Sequence, residues 1–259
     1  MKQRIIFYSI TGLLLICCFS GFGNNLTKKP AFHALVLTEK GGIHEGFVVA
    51  ALEWLKDFAA ENNFDFNVIY NTDSISDKYL SHYQVFIQLN YPPYMWTDQS
   101  KAAFIKYMEE GRGGWVGFHH ASLLGEFDGY PMWDWFSQFM GSIRWKNYIA
   151  AKATAIVRVE DKNRPAMKGL PDTFSIPDDE WYTYDKDPRP NVHVIANVDE
   201  SSYQPPSDIK MGDHPVIWSN DKIKARNIYF QMGHHANIFH AEAFKKMFGN
   251  AILWAAGKN

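Results

Sequence analysis

Three short, almost wholly apolar runs punctuate this chain, at residues 32–38, 85–89 and 114–119, and segments of helical length lie between them. Each run is too short for a buried helix and has the length of a strand covered on both faces. Residues 45–62 carry helical spacing, with Phe47, Ala51, Trp54, Leu55 and Phe58 on one face. Residues 98–111 read as a second helix, with Asp98 as its cap and Gly111 as its stop. Residues 64–70 alternate as a strand does. This order of strand, helix and strand predicts a parallel sheet with helices on both faces.

The second half is less regular. Residues 152–160, 192–198, 215–219 and 227–231 read as strands, and 241–256 as a closing amphipathic helix. The prolines at 188–190 and 205–206 mark surface loops. There is no internal repeat or low-complexity tract. With 46% hydrophobic and 21% charged residues, the chain can bury a core. One domain over residues 24–259 is the simplest account.

The first residues read as a targeting segment. Lys2 and Arg4 precede the apolar run 5–18, and Ser20, Gly21 and Gly23 follow it. This layout predicts a secretory signal peptide over residues 1–23, and the run is short for a membrane span. The expected location is therefore the periplasm or cell envelope. A lipoprotein signal around Cys17 and Cys18 ranks second, because Ile16 is bulky where such a site wants a small residue. Both cysteines fall within this segment, so the mature chain has no thiol, disulfide or cysteine nucleophile. Removing Lys2 and Arg4 from the 26 basic residues leaves 24 against 28 acidic ones. No basic patch is present, which argues against a nucleic-acid partner.

In open parallel sheets, ligands bind beyond the carboxyl ends of the strands. Here those ends run into Lys40-Gly41-Gly42-Ile43-His44-Glu45, Asn90-Tyr91-Pro92-Pro93-Tyr94, His119-His120 and Gly233-His234-His235. Five histidines thus fall where a site belongs. A single histidine at a strand end is more often a loop residue held by hydrogen bonds, but two separate pairs favour a shared site. Neighbouring residues on a strand point to opposite faces, so one histidine per pair is expected in the cleft, with His119 and His234 preferred. Asp178-Asp179-Glu180-Trp181-Tyr182 is either a solvated acidic loop or a source of a carboxylate, Glu180, with Trp181 or Tyr182 against a sugar face. Histidine suits proton transfer near neutral pH. The same groups allow a divalent metal, but no HExxH-like spacing supports one and no ligands are assigned. Tyr91, Tyr94 and Trp96 in one loop, and Trp133, Trp135 and Phe136 in another segment, suit either sugar stacking or a subunit interface.

Several ordered blocks resemble the ThuA-like (trehalose utilisation) family. They are Gly113-Gly114-Trp115-Val116-Gly117-Phe118-His119-His120-Ala121-Ser122, Asp179-Glu180-Trp181-Tyr182, Gly212-Asp213-His214-Pro215-Val216-Ile217-Trp218 and Gly233-His234-His235, with Ile43-His44 before them. They span residues 33–257. The resemblance implies an α/β fold, a flavodoxin-like parallel sheet sandwiched by helices, similar to class I glutamine amidotransferases. In those enzymes a cysteine follows a central strand and a histidine comes from a late one. His119 or His120 stands in the cysteine's place, and His234 or His235 resembles the histidine. Without a thiol, attack on glutamine is chemically closed, and Ser122 is not in a GxSxG setting.

The resemblance also implies work on trehalose-like glycosides or their 3-keto derivatives, alongside a sugar oxidoreductase of the same pathway. The expected chemistry is that of a lyase, isomerase or hydrolase. His119, His234 and Glu180 are the expected catalytic groups. His44, His120, Trp181, Tyr182, His214 and His235 are the expected substrate contacts. The alternative is a non-catalytic sugar-binding or accessory protein of the envelope. A homo-oligomer is compatible with either.

Overall fold

The computed structural model describes residues 29–149 and 151–258. The signal segment expected at residues 1–23 lies outside them. No helix among the described residues is long and apolar enough to cross a membrane.

The elements follow in the order β1 (His33–Thr38), α1 (Glu45–Glu61), β2 (Asp65–Ile69), α2 (Asp77–Leu80), β3 (Val85–Leu89), α3 (Asp98–Glu109), β4 (Gly114–Phe118), α4 (Asp134–Phe139), β5 (Trp145–Tyr148), β6 (Ala153–Val159), β7 (Thr173–Asp179), β8 (Tyr182–Tyr184), β9 (His193–Gln204), β10 (Pro215–Ser219), β11 (Asn227–Phe230) and α5 (Glu242–Ala255). Nine strands form one sheet in the order β2-β1-β3-β4-β11-β10-β9-β6-β7, and β5 and β8 pair separately. The first four pairings are parallel. The last four are antiparallel. The sheet is therefore flavodoxin-like in its parallel part, with an antiparallel wing that the short apolar runs did not foretell.

Strand alternation divides the core into two layers. Val36, Ile87, Val116, Phe118 and Phe230 pack on the side of α1 and α5. Leu35, Leu37, Phe86, Trp115 and Tyr229 pack on the side of α3 and α4. β4 shows why its glycines matter. A Cβ at Gly117 would lie 2.1 Å from the Trp115 ring, which folds over that position. A side chain there would push the indole out of its layer.

The helix ends follow from their residues. Thr97, not Asp98, caps α3, its hydroxyl accepting from the Ser100 N–H at 3.2 Å, and Asp98 is the first helical residue. Gly111 adopts φ +69° just past the end of α3, the conformation that favours glycine at a helix stop. His44 precedes α1 but makes no side-chain cap. Its ring is engaged elsewhere.

Candidate functional site

His119 sits where β4 gives way to a short helical turn over residues 119–122. Its backbone has φ +40°, a strained conformation for a residue with a side chain. A buried hydroxyl set supports it from below. The His119 carbonyl accepts from Tyr229 at 2.9 Å and from Ser122 at 3.0 Å. Ser122 also meets the Tyr184 and Tyr229 hydroxyls, at 2.8 and 2.6 Å. Its oxygen is thus committed to structure and is fully buried.

Four imidazoles converge here. The ring centroids of His44 and His120 lie 4.0 Å apart, those of His44 and His234 4.7 Å, and those of His44 and His119 5.2 Å. The expectation of one histidine per pair holds for His234, because His235 turns aside to accept from the Asn237 N–H at 3.4 Å. It fails for the first pair. The strand ends at Phe118, so pleat alternation does not separate His119 from His120, and both enter the cluster.

Hydrogen-bond partners fix the tautomers. His119 Nδ1 lies 2.9 Å from the Gln231 carbonyl, which can only accept. Nδ1 therefore carries the proton and Nε2 presents a bare lone pair. Glu39 takes His44 Nδ1 at 3.0 Å and His120 Nδ1 at 2.6 Å. A carboxylate only accepts, so in these two rings as well Nε2 is the bare nitrogen when the ring is neutral. His44 Nε2 faces His234 Nδ1 at 3.1 Å.

Glu180 completes the group. Its Oε2 lies 3.3 Å from His119 Nε2 and 3.5 Å from His234 Nδ1. These are ion-pair distances without hydrogen-bond alignment, and His119 Nε2 remains a buried polar atom with no hydrogen-bond partner. Burial lowers the His119 pKa to about 3, outweighing the nearby Glu180, so the ring is neutral. Burial also dominates at His44 and lowers it. At Glu39 burial pushes upward, but the bonds and charges of His120 and His44 prevail and bring the pKa to about 2. At Glu180 burial again pushes upward, and His119 and His234 more than reverse it. Both carboxyls are therefore ionised.

Other groups position these. Although β7 is the far edge of the sheet, Asp179 at its end accepts from the Gly233 and His234 N–H groups, at 2.8 and 2.9 Å. This ties the acidic segment to the turn that carries His234. Burial lifts the Asp179 pKa to about 6 against those bonds. Gly233 has φ +142°, and a Cβ there would lie 3.4 Å from His119 Cβ. Asn90 donates to the Gly233 carbonyl at 2.7 Å. Tyr182 lays its ring on His119, centroids 4.2 Å apart. Beside Glu39 a cavity of about 290 Å³ opens between Lys40, Glu45, Val49, Leu52 and Tyr70. Another of about 310 Å³, between Arg112, Lys224 and Arg226, lies by the amino end of β4 and far from this chemistry.

Some expected contacts belong elsewhere. Trp181 is fully buried and donates to the Ala153 carbonyl at 2.8 Å, so its ring is core and cannot stack on a sugar. His214 is buried behind Tyr182, its Nε2 2.7 Å from the Tyr182 carbonyl and its Nδ1 2.8 Å from Glu200. It holds the Tyr182 backbone and does not face the cluster. Of the loop aromatics, Tyr91, Tyr94, Trp96, Trp133 and Phe136 are buried, and Trp135 is only partly so, donating to Glu109 at 2.8 Å. Glu39, Asp179 and Gln231 drew no role from the sequence. Glu39 directly follows β1, so the strand-end rule reaches it. Gln231 meets His119 through its backbone carbonyl, which leaves no side-chain signal, while its side chain holds the Tyr182 backbone at both N–H and carbonyl.

The comparisons agree with this architecture. The family model for ThuA, trehalose utilisation, matches residues 33–255. The fold is similar to a ThuA-like protein from Bacteroides uniformis, at 29% identity and a TM-score of 0.78, covering 91% of this chain and 95% of that one. It is also similar to a ThuA-like protein from Parabacteroides merdae, at 18% identity and a TM-score of 0.66, covering 88% and 90%. The glutaminase domain of CTPS from Trypanosoma brucei shares the fold at 10% identity and a TM-score of 0.51, covering 87% and 94%. No curated protein matches the sequence.

Proposed function

The chain belongs to the ThuA trehalose-utilisation family, and from that premise we propose that it acts on trehalose-like glycosides or their 3-keto derivatives through the His/Glu cluster. The supporting observation is the meeting of His44, His119, His120, His234 and Glu180 at the carboxyl ends of the strands.

A 3-keto group acidifies the neighbouring C2–H. Removal of that proton leaves an enediolate. Reprotonation on the adjacent carbon completes an isomerisation, while expulsion of the glycosidic oxygen from C1, which takes up the abstracted proton as it leaves, completes an elimination. Glu180, held ionised, accepts the proton. Its low proton affinity means that the proton is soon returned or passed to His234, 3.5 Å away. His120, the most exposed imidazole of the four at 16%, meets the substrate's oxygens. His119 and Tyr182 form the floor. A sugar oxidoreductase would supply the keto group, and export would place both in the cell envelope.

The test is incubation with trehalose and with 3-keto-trehalose in D2O, followed by NMR. Deuterium entry at C2, or a new sugar, is the expected result with the keto substrate. Unchanged spectra with both sugars, before and after supplementation with divalent metals, would overturn the reading.

A further inference from the structure

We propose that this cluster is a binding site for one divalent transition-metal ion, ligated by His44, His119, His120, His234 and Glu180. Two ligand groups overlap here. One is His44, His119 and His120, the other His119, Glu180 and His234, and within each the candidate atoms lie within 4.8 Å of one another. His119 is common to both.

The spacings are those of a coordination shell. Ligands about 2.1 Å from an ion stand about 3.0–3.4 Å apart, from octahedral to tetrahedral angles. His44 Nε2 to His234 Nδ1 is 3.1 Å, His119 Nε2 to Glu180 Oε2 is 3.3 Å, and Glu180 Oε2 to His234 Nδ1 is 3.5 Å. Ordinary hydrogen bonds do not account for the set, since His119 Nε2 has no aligned partner while wholly buried. A bare lone pair without a donor costs free energy in a protein interior, and a cation removes that cost.

The outer shell has the matching pattern. Metal-bound histidines give their second ring N–H to a carboxylate or a backbone carbonyl, which fixes the tautomer. Glu39 does this for His44 and His120, and the Gln231 carbonyl does it for His119. The donor set agrees too, since Glu180 brings a carboxylate oxygen to the same point as His119 Nε2 and His234 Nδ1. Mostly imidazole ligation with one carboxylate oxygen suits zinc, iron, cobalt or nickel, and does not suit magnesium or calcium, which prefer oxygen. An ion here would polarise a carbonyl oxygen beside Glu180, but its binding needs no sugar and so can be judged apart from the proposed reaction.

The experiment strips the purified full chain with a chelator, offers zinc, cobalt or magnesium chloride in turn, removes free ion by gel filtration and measures retained metal. Near-stoichiometric zinc or cobalt, visible absorption from the cobalt form and no retained magnesium are expected. Glu39→Gln should weaken zinc binding by about 10- to 100-fold, through its two imidazoles. His119→Ala should abolish stoichiometric retention, and Glu180→Gln, which keeps the side-chain volume, should weaken it even if His119→Ala fails to fold. His193→Ala, on the surface, should retain metal as the parent does. No retained transition metal in the parent chain, or undiminished retention in both folded Glu180→Gln and folded Glu39→Gln, would overturn the proposal.

Discussion

Two buried histidine–carboxylate groups lie within this fold, and they are built in opposite ways. In the pair of His214 and Glu200, both ring nitrogens have close partners, the Tyr182 carbonyl at Nε2 and the carboxylate at Nδ1. Glu200 also accepts from the Met211 and Gly212 N–H groups, at 2.5 and 3.0 Å. Both ring nitrogens and both carboxylate oxygens there have partners. In the cluster around His119, each Nδ1 is used and an Nε2 is left over. A spent histidine holds a fold together. A half-spent one offers a nitrogen to something else.

The comparison is tested most severely by stability. His214→Ala leaves the Glu200 carboxylate buried without its ring partner, a change expected to cost about 3–5 kcal/mol. His119→Ala removes a ring but also removes an orphaned nitrogen, and should cost ~1–2 kcal/mol. Denaturant midpoints of the two variants, with unchanged m-values, measure the difference. Equal losses would mean that His119 is as structural as His214.

Acid separates the groups less sharply. His119 is a base whose folded pKa is depressed by burial from 6.5 to about 3. The unfolded chain binds its proton first, so stability is lost as pH falls from 6.5 towards 3. Glu39, depressed from 4.5 to about 2, adds a loss as pH falls through that lower range. Asp179 works the other way. Its folded pKa is raised from 3.8 to about 6, so its contribution declines as pH rises through 6 and partly offsets the others on the way down. Melting temperatures of chelator-treated protein from pH 7 to pH 4 should therefore fall in the parent and fall less in His119→Ala. Parallel curves would show that the His119 ring takes up a proton as readily folded as unfolded.

The contrast also explains what the sequence could disclose. Apolar runs buried on both faces announced the parallel half, because hydrophobicity there is continuous. The antiparallel wing was harder to see. β7, at the edge of that wing, carries Asp178 and Asp179, residues that usually mark a loop. The strand-end rule drew attention to His44, His119 and His234 because it concerns backbone topology. His214 came from the family resemblance and not from that rule, since it precedes β10, and what sets it apart in the structure is what its ring nitrogens touch. Nor could the rule foresee Asp179 crossing from the sheet's far edge to the turn after β11.

The two histidine pairs give the smallest and most selective effect. A pleated strand would send one member of each pair into the cleft. The pair after β11 obeys, with His234 in the cluster and His235 acting as a weak cap on the turn that follows. The pair after β4 does not, because the left-handed backbone at His119 begins a helical turn at once and brings His120 back to Glu39. His235→Ala should then change stability by less than about 0.5 kcal/mol and leave turnover and metal retention at the parent level. His120→Ala should lower both, since it removes a ring held by Glu39 beside His44. If the two alanine variants behave alike, the backbone turn at His119 has no bearing on function. The cluster would then reduce to one histidine from each pair, as simple strand alternation requires.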